Sequence, residues 1–244
     1  MSEKVQVQPE VAVFTEILAA KSQAAGLKLT AAQLQQFGRY YELLILANNQ
    51  FNLTALTSPE DVAVKHMIDS LLALDSSIRD GQTLIDVGTG AGFPGLALKI
   101  YRPGLKVTLL DSLTKRLTFL ESVIKDLGLR EVRCVHARAE DAGHDAALRG
   151  RFDIVTARAV ARLAVLAEYT LPLAKVQGLV IALKGSAYQD LKELSGEAME
   201  KLLKVQPDSV GQAARISGVS PADIGVLLIA LEARRRREET RHGA

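Results

Sequence analysis

Thr83-Leu-Ile-Asp-Val-Gly-Thr-Gly-Ala-Gly-Phe-Pro-Gly95 is an apolar run that carries one acid, Asp86, and then breaks into a glycine-rich turn. Gly88, Gly90 and Gly92 alternate in that turn. Glycine adopts positive φ at no Cβ penalty and lets a ligand approach the backbone closely. A buried strand feeding such a turn, followed by a helix, is how α/β proteins hold nucleotide-like ligands.

Downstream of this stretch, short β-branched or leucine-rich runs alternate with helical patterns. Strands are expected at residues 83–87, 106–110, 131–135, 152–156 and 178–183, and helices at 94–101, 114–127, 163–175 and 188–203. Such alternation gives an α/β fold with a mostly parallel sheet, helices on both faces and right-handed crossovers. Upstream, residues 10–80 read helical. Val11, Phe14, Ile17 and Leu18 recur at helical spacing, as do Leu34, Phe37, Tyr40, Tyr41 and Leu44. Thr30 is the expected N-cap of the second helix. Ser58-Pro59-Glu60-Asp61 opens a third, with proline in the first turn and acids at the positive helix end. Residues 1–80 thus form an expected helical subdomain, 81–206 the sheet domain and 207–244 a tail.

Composition sets the outer limits. The 244 residues are 48% apolar, enough for a packed core. No run of 18 apolar residues suggests a membrane span, and the first residues lack the pattern of a secretory signal. Cys134 is the one cysteine, which allows neither an internal disulfide nor a cysteine-based metal site and suits a reducing cytoplasm. A net charge of +2 is too small to argue for a nucleic-acid partner by itself. Aromatic side chains are sparse, which disfavours a binder built on base stacking.

Two ligand classes compete for the glycine turn. Gly90-Ala-Gly92-Phe-Pro-Gly95 matches the dinucleotide pattern G-x-G-x-x-G, and Asp111 lies near the offset of a ribose-binding acid. However, the match begins two residues late, and Pro94 removes an N–H that a pyrophosphate at a helix start would use. S-adenosylmethionine carries no phosphate and has a cationic end. Asp86 is then an asset toward the amino group or sulfonium, where it would repel a pyrophosphate. Asp111 can accept from ribose hydroxyls, Ser112 and Leu113 follow it near the adenosine, and Ala139-Glu140 follows the third strand where an adenine would stack.

With these residues in place, the chain resembles the bacterial small-subunit ribosomal RNA guanine-N7 methyltransferases, the glucose-inhibited division protein B family. The resemblance is carried by Phe51-Asn-Leu-Thr-Ala55, Val64-Lys-His-Met-Ile-Asp-Ser70, the stretch 84–95, Leu110-Asp-Ser-Leu-Thr-Lys-Arg116, Ala137-Arg-Ala-Glu140 and Phe152-Asp-Ile-Val-Thr-Ala-Arg-Ala159. It spans about residues 10–200. It implies a Rossmann-like methyltransferase sheet, S-adenosylmethionine as donor, no metal, and a guanine of 16S ribosomal RNA, free or in the small subunit, as acceptor. It also implies a cytoplasmic enzyme with no membrane partner. By motif position, Gly88, Phe93, Asp111, Ser112, Leu113, Ala139, Glu140 and Arg158 should contact the donor. With Asp86, Gly90 and Gly92 they make up the expected binding set.

Guanine N7 carries an in-plane lone pair and no proton, so methylation there needs no general base. Catalysis then rests on alignment and exclusion of water. Arg158 is the expected functional charge, because it follows an apolar strand at the carboxyl edge of the sheet and can hold a phosphate or guanine O6. The competing reading is an ion pair with Asp86 or Asp111. His66 reads equally as a pocket contact and as a packing residue. Asn52 and Thr54 resemble loop ligands but also stabilise turns, the favoured reading. Lys65, Lys115, Arg116 and Lys184 form a candidate phosphate-binding rim.

The tail departs from the family. The expected antiparallel strand pair after the fifth strand and the Pro- and Arg-rich end are missing. Residues 209–228, beginning Ser209-Val-Gly-Gln-Ala-Ala-Arg-Ile-Ser-Gly-Val-Ser-Pro-Ala222, resemble instead the end of the flavin-dependent tRNA uridine-modifying glucose-inhibited division protein A family. Flavin chemistry does not carry over, since the flavin-binding part of that family is absent. A short helix is expected over 209–216 and a turn at Ser217-Gly218-Val219; a second helix starts at Ser220-Pro221, runs to Arg234–Arg237 and docks through Ile224, Leu227, Leu228 and Leu231 on the sheet or on a partner. The fifth strand should then become a sheet edge. An alternative function follows: a non-catalytic RNA- or protein-binding relative.

Overall fold

The computed structural model describes residues 2–73, 78–158, 163–183, 195–205 and 215–220. Two long helices, α1 (Ser2–Ala24) and α2 (Ala31–Asn48), precede a short helix α3 (Pro59–Asp61). This runs on through a π-helical segment, Val62–Ile68, into α4 (Asp69–Leu72). Then come β1 (Thr83–Val87), α5 (Gly95–Tyr101), β2 (Lys106–Asp111), α6 (Thr114–Asp126), β3 (Val132–His136), α7 (Ala139–Ala142), β4 (Phe152–Arg158), α8 (Leu163–Thr170), β5 (Ala174–Leu183) and α9 (Gly196–Val205).

The five strands are all parallel, in the order β3-β2-β1-β4-β5. This is an α/β, Rossmann-like sheet whose strand order reverses at β1. The crevice outside the carboxyl ends at that switch point is where such sheets bind ligands. Side-chain alternation along β1 sends Leu84 and Asp86 to one face and Ile85 and Val87 to the other. Leu84 joins an apolar cluster with Leu96, Leu98, Leu109 and Leu120 that continues into Phe14, Phe37, Tyr40, Tyr41 and Leu44 of the N-terminal helices. Ile85 and Val87 join Leu110, Val155, Ala157, Leu166 and Leu173 on the opposite face. Each fully buried large apolar side chain contributes on the order of 1.5–3 kcal/mol.

Local signals account for the helix starts. Thr30 closes a capping box with Gln33, and Ser58 accepts from the Asp61 N–H at 3.1 Å. Gln33 also donates to the carbonyls of Ile100 and Tyr101, at 3.1 and 3.0 Å, which ties the start of α2 to the end of α5. Phe14 stacks on Tyr41 with centroids 4.5 Å apart, locking α1 to α2.

Several element boundaries differ from expectation; β3 lies one residue later than expected and β4 runs on to Arg158. The helix expected over 163–175 ends at Thr170, and Leu171–Leu173 form a 3-10 turn around Pro172, which cannot continue an α-helical ladder. β5 consequently begins at Ala174 rather than 178. Its register then jumps from Phe152↔Ala174 to Ile154↔Leu179, with Gln177 at φ 67 in the irregularity. The helix expected over 188–203 is described from Gly196, where Ser195 accepts from the Ala198 N–H, and it runs to Val205. In the tail, Gly218 has φ 92 and Val219 N–H bonds Ile216 O, giving the expected turn. Lys184 and the tail helices lie outside the described residues. Among the described residues, β5 is an edge of the sheet, as expected, and β3 is the other.

Candidate active site

At the carboxyl ends of the strands lies an open cleft of about 1170 Å³. Its lining draws on every strand of the sheet. Gly88, Thr89, Gly90, Ala91 and Phe93 come from the turn after β1, and Asp111 and Ser112 from the end of β2. The residues after β3 supply Arg138, Ala139 and Glu140, and Arg158 ends β4. The opposite wall is formed by Leu53, Thr54, Lys65, His66 and Asp69. Ligand pockets are typically about 300–1,000 Å³, so this open cleft is of ligand-binding size.

The glycine turn is held by two carboxylates. Asp86 is fully buried, and its Oδ2 accepts from Thr89 Oγ1 at 2.6 Å and from the Gly95 N–H at 3.0 Å. Its Oδ1 accepts from Thr156 Oγ1 at 2.9 Å. Burial pushes its pKa up to about 6, against the opposing effect of these three donors and the positive charge of Arg158. Asp111 spans the next gap: Oδ2 accepts from the Gly90 N–H and Oδ1 from the Leu113 N–H, both at 2.9 Å. Gly88 and Gly90 have φ of 65° and 60°, conformations that favour glycine. A Cβ at Gly90 would meet nothing nearer than the Gly88 carbonyl at 4.0 Å, so the turn is open toward the cleft.

Three residues of the expected binding set lie outside the cleft lining. Asp86 is enclosed by its own turn and by Thr156, and it does not line the cleft, because the pleat of β1 points it toward α5. Gly92 faces inward: a Cβ there would collide with Tyr40 Oη and come within 2.8 Å of Leu120 Cδ2. Leu113 is 52% exposed and lies outside the lining. Gly88, Gly90, Phe93, Asp111, Ser112, Ala139, Glu140 and Arg158 are brought together around one cleft.

Arg158 makes neither of the ion pairs the sequence offered. Its guanidinium lies 5.2 Å above the Phe93 ring and donates to the Lys65 carbonyl at 3.2 Å. A second donor reaches His66 Nδ1 at 3.1 Å, and Asp69 Oδ2 stands 4.0 Å away. An arginine only donates, so Nδ1 of His66 must accept and its proton sits on Nε2. That proton reaches Thr54 Oγ1 at 2.8 Å. Burial, then the Arg158 charge, lowers the His66 pKa to about 4, which keeps this neutral tautomer. His66 also stacks on Phe93 at 4.6 Å, so its two readings combine: it packs, and it orients the arginine.

Thr54 accepts from the Leu56 N–H at 3.1 Å, which fits the turn reading, and it also serves His66. Asn52 is exposed. The loop is fastened by Asn48, whose Oδ1 accepts from the N–H groups of Leu53 and Thr54 at 2.8 and 2.9 Å. Of the rim cations, Lys65 and Arg116 line the cleft, paired with Asp61 and Asp111 at 2.6 and 3.4 Å. Lys115 is exposed and does not line it.

Several contributors escaped the sequence reading. Tyr40 supports the turn from below by donating to the Ala91 carbonyl and stacking on Phe93 at 5.2 Å. Thr156 fixes Asp86, and Tyr169 donates to Glu140 at 2.8 Å. Asp69 was visible inside the motif 64–70 but carried no assigned role. Tyr40 was legible only as part of a helix face.

These features define an α/β protein with an open cleft at the topological switch point of a parallel sheet. Comparison with known proteins narrows this. The chain belongs to the GidB family, rRNA small subunit methyltransferase G, whose model matches residues 33–215. It is similar to the ribosomal RNA small subunit methyltransferase G of Leuconostoc citreum, 54% identical over 166 residues, covering 67% of this chain and 70% of the relative. The protein of the same name from Leuconostoc mesenteroides is 47% identical over 196 residues, covering 76% and 82%. A solved precorrin-6y C5,15-methyltransferase from Geobacter metallireducens is 17% identical with a TM-score of 0.43, covering 71% of this chain and 81% of that one.

Proposed function

We propose that this chain transfers a methyl group from S-adenosylmethionine to N7 of a guanine in small-subunit ribosomal RNA, in the cytoplasm. The observation that carries this reading is the cleft itself: an open glycine turn, a carboxylate at the end of the second strand, and a guanidinium facing them across the same space. When bound, the donor supplies an electrophilic methyl whose bond to sulfur breaks as the bond to N7 forms, leaving a neutral thioether.

The residues present fit that donor. The open side of Gly90, beside Gly88 in the lining, lets a ligand lie against backbone, Asp111 keeps lone pairs for ribose hydroxyls, and Ala139 with Glu140 flanks the space beyond β3. We assign Asp86 to holding the turn rather than to touching the donor. Gly92 has the same indirect part through its packing on Tyr40 and Leu120. Guanine N7 brings its own lone pair and no proton, so the cleft needs no base, and His66, held neutral, does not have to act as one. The role left to Arg158 is to hold the RNA acceptor in line, through O6 or a phosphate.

Incubation with labelled donor and small ribosomal subunits lacking the modification tests this. One guanine should gain a label mapped to N7; no incorporation would sink the reading. Calorimetry with the donor separates out the non-catalytic alternative wherever that relative has lost donor binding.

A further inference from the structure

An acid in a cleft meant for RNA calls for an explanation, because it repels phosphates. Asp69 is such an acid. It opens α4, lines the cleft beside Lys65 and His66, and keeps 57% of its side chain exposed. Among the described residues the charged group that meets it is Arg158, at the 4.0 Å limit of an ion pair. A carboxylate offers about four acceptor sites, and this one lines the cleft with over half its side chain exposed. Its position is also informative. The glycine turn, Asp111 and Ala139–Glu140 sit at the ends of β1, β2 and β3, whereas Asp69 stands with Arg158 at the end of β4. It therefore stands beside Arg158 on the wall shared by the N-terminal helices and β4, beyond the carboxylate of β2 and the residues after β3.

Resting on the methyltransferase reading above, we propose that Asp69 is a specificity-determining residue that accepts from N1–H and the N2 amino group of the target guanine. Among the RNA bases only guanine presents that adjacent pair of donors, the natural complement of a carboxylate. Enzymes that act on single bases commonly read this Watson–Crick edge. Binding there leaves N7, on the opposite edge, free to face the methyl group. The same contact also favours the reaction. As N7 forms its new bond, positive charge spreads over the purine and N1–H becomes a stronger donor. A carboxylate at that edge interacts more strongly with the transition state than with the ground state. Partial burial raises the Asp69 pKa from its usual value, offset by Arg158.

The test pairs Asp69→Asn with an altered acceptor. Donor affinity by calorimetry and the melting temperature should match wild type, while kcat/KM on unmodified small subunits falls about ten- to a hundredfold, the range of a bidentate base contact. Much of the loss should lie in kcat. Subunits reconstituted with inosine, which lacks the N2 amino group, should cost the wild type about tenfold and cost the variant nothing further. Wild-type kcat/KM in Asp69→Asn would overturn the inference, as would a loss of donor affinity, which would move Asp69 to the donor side. An equal inosine penalty in both proteins would overturn it too. If the wild type itself transfers no methyl group, the methyltransferase reading falls and takes this inference with it.

Discussion

At the ends of β1 and β2 the cleft is made of backbone: glycines at positive φ, with Asp86 and Asp111 turned onto main-chain N–H groups. Across from it, the π-helical segment, the start of α4 and the end of β4 present side chains: His66, held by Thr54, Asp69, and Arg158, which lies over Phe93. The first wall suits a small ligand of fixed shape, because backbone cannot be repositioned without moving the fold. The second suits a base delivered by a large partner, because side chains recognise an edge and leave the fold intact. The two walls should therefore fail differently when altered.

The largest effect is expected at Arg158. Arg158→Ala should lower methyl transfer at least a hundredfold, in the range of lost transition-state contacts, while circular dichroism and melting stay near wild type. A large stability loss with it would erase the contrast between the walls. On the backbone side, Gly92→Ala combines a positive φ of 99° with a collision against Tyr40 and Leu120. It should destabilise the protein by about 2–4 kcal/mol, read by denaturant unfolding, and weaken the donor with it.

Asp86 sharpens the contrast through pH. Its folded pKa of about 6 lies above the unfolded value of a carboxylate. The folded state then holds the extra proton, and stability falls as pH rises from about 4 to about 6. Asp86→Asn keeps an acceptor for Gly95 and Thr89 and cannot ionise. Unfolding curves should show that part of the pH dependence missing in the variant; parallel curves for the two proteins would mean that Asp86 does not titrate in this window. The smallest effect belongs to neither wall. Arg39 bonds Asp126 at 2.8 and 2.7 Å between α2 and α6, but it is partly exposed. Arg39→Ala should cost no more than about 1 kcal/mol, with methyl transfer unchanged.

How much of this was legible follows from which residues speak to their neighbours. The capping of α2 by Thr30 and of α3 by Ser58, the five strands and the glycine turn all appeared in the sequence, because caps rest on contacts a few residues apart, strands on runs of β-branched and leucine residues, and the turn on the placement of its glycines. The end of α8 did not, since an apolar stretch reads as helix until Pro172 and the 3-10 turn stop it. The family motifs gathered the right positions for the cleft. Asp86 entered the expected set on charge alone, and attraction to a cationic ligand does not say which face of β1 an acid occupies.

The sequence by itself determined the α/β alternation, the open turn after β1 and the family. Periodicity, glycine placement and motif order are properties of the chain read in line. Only the tertiary structure decided that Asp86 is sealed by Thr156, 70 residues away, and that His66 meets Arg158 across 92. Those partners are chosen by parallel strand pairing and by the helix laid over the sheet edge. That packing decides whether a charge is buried to hold the turn or left facing the cleft to bind.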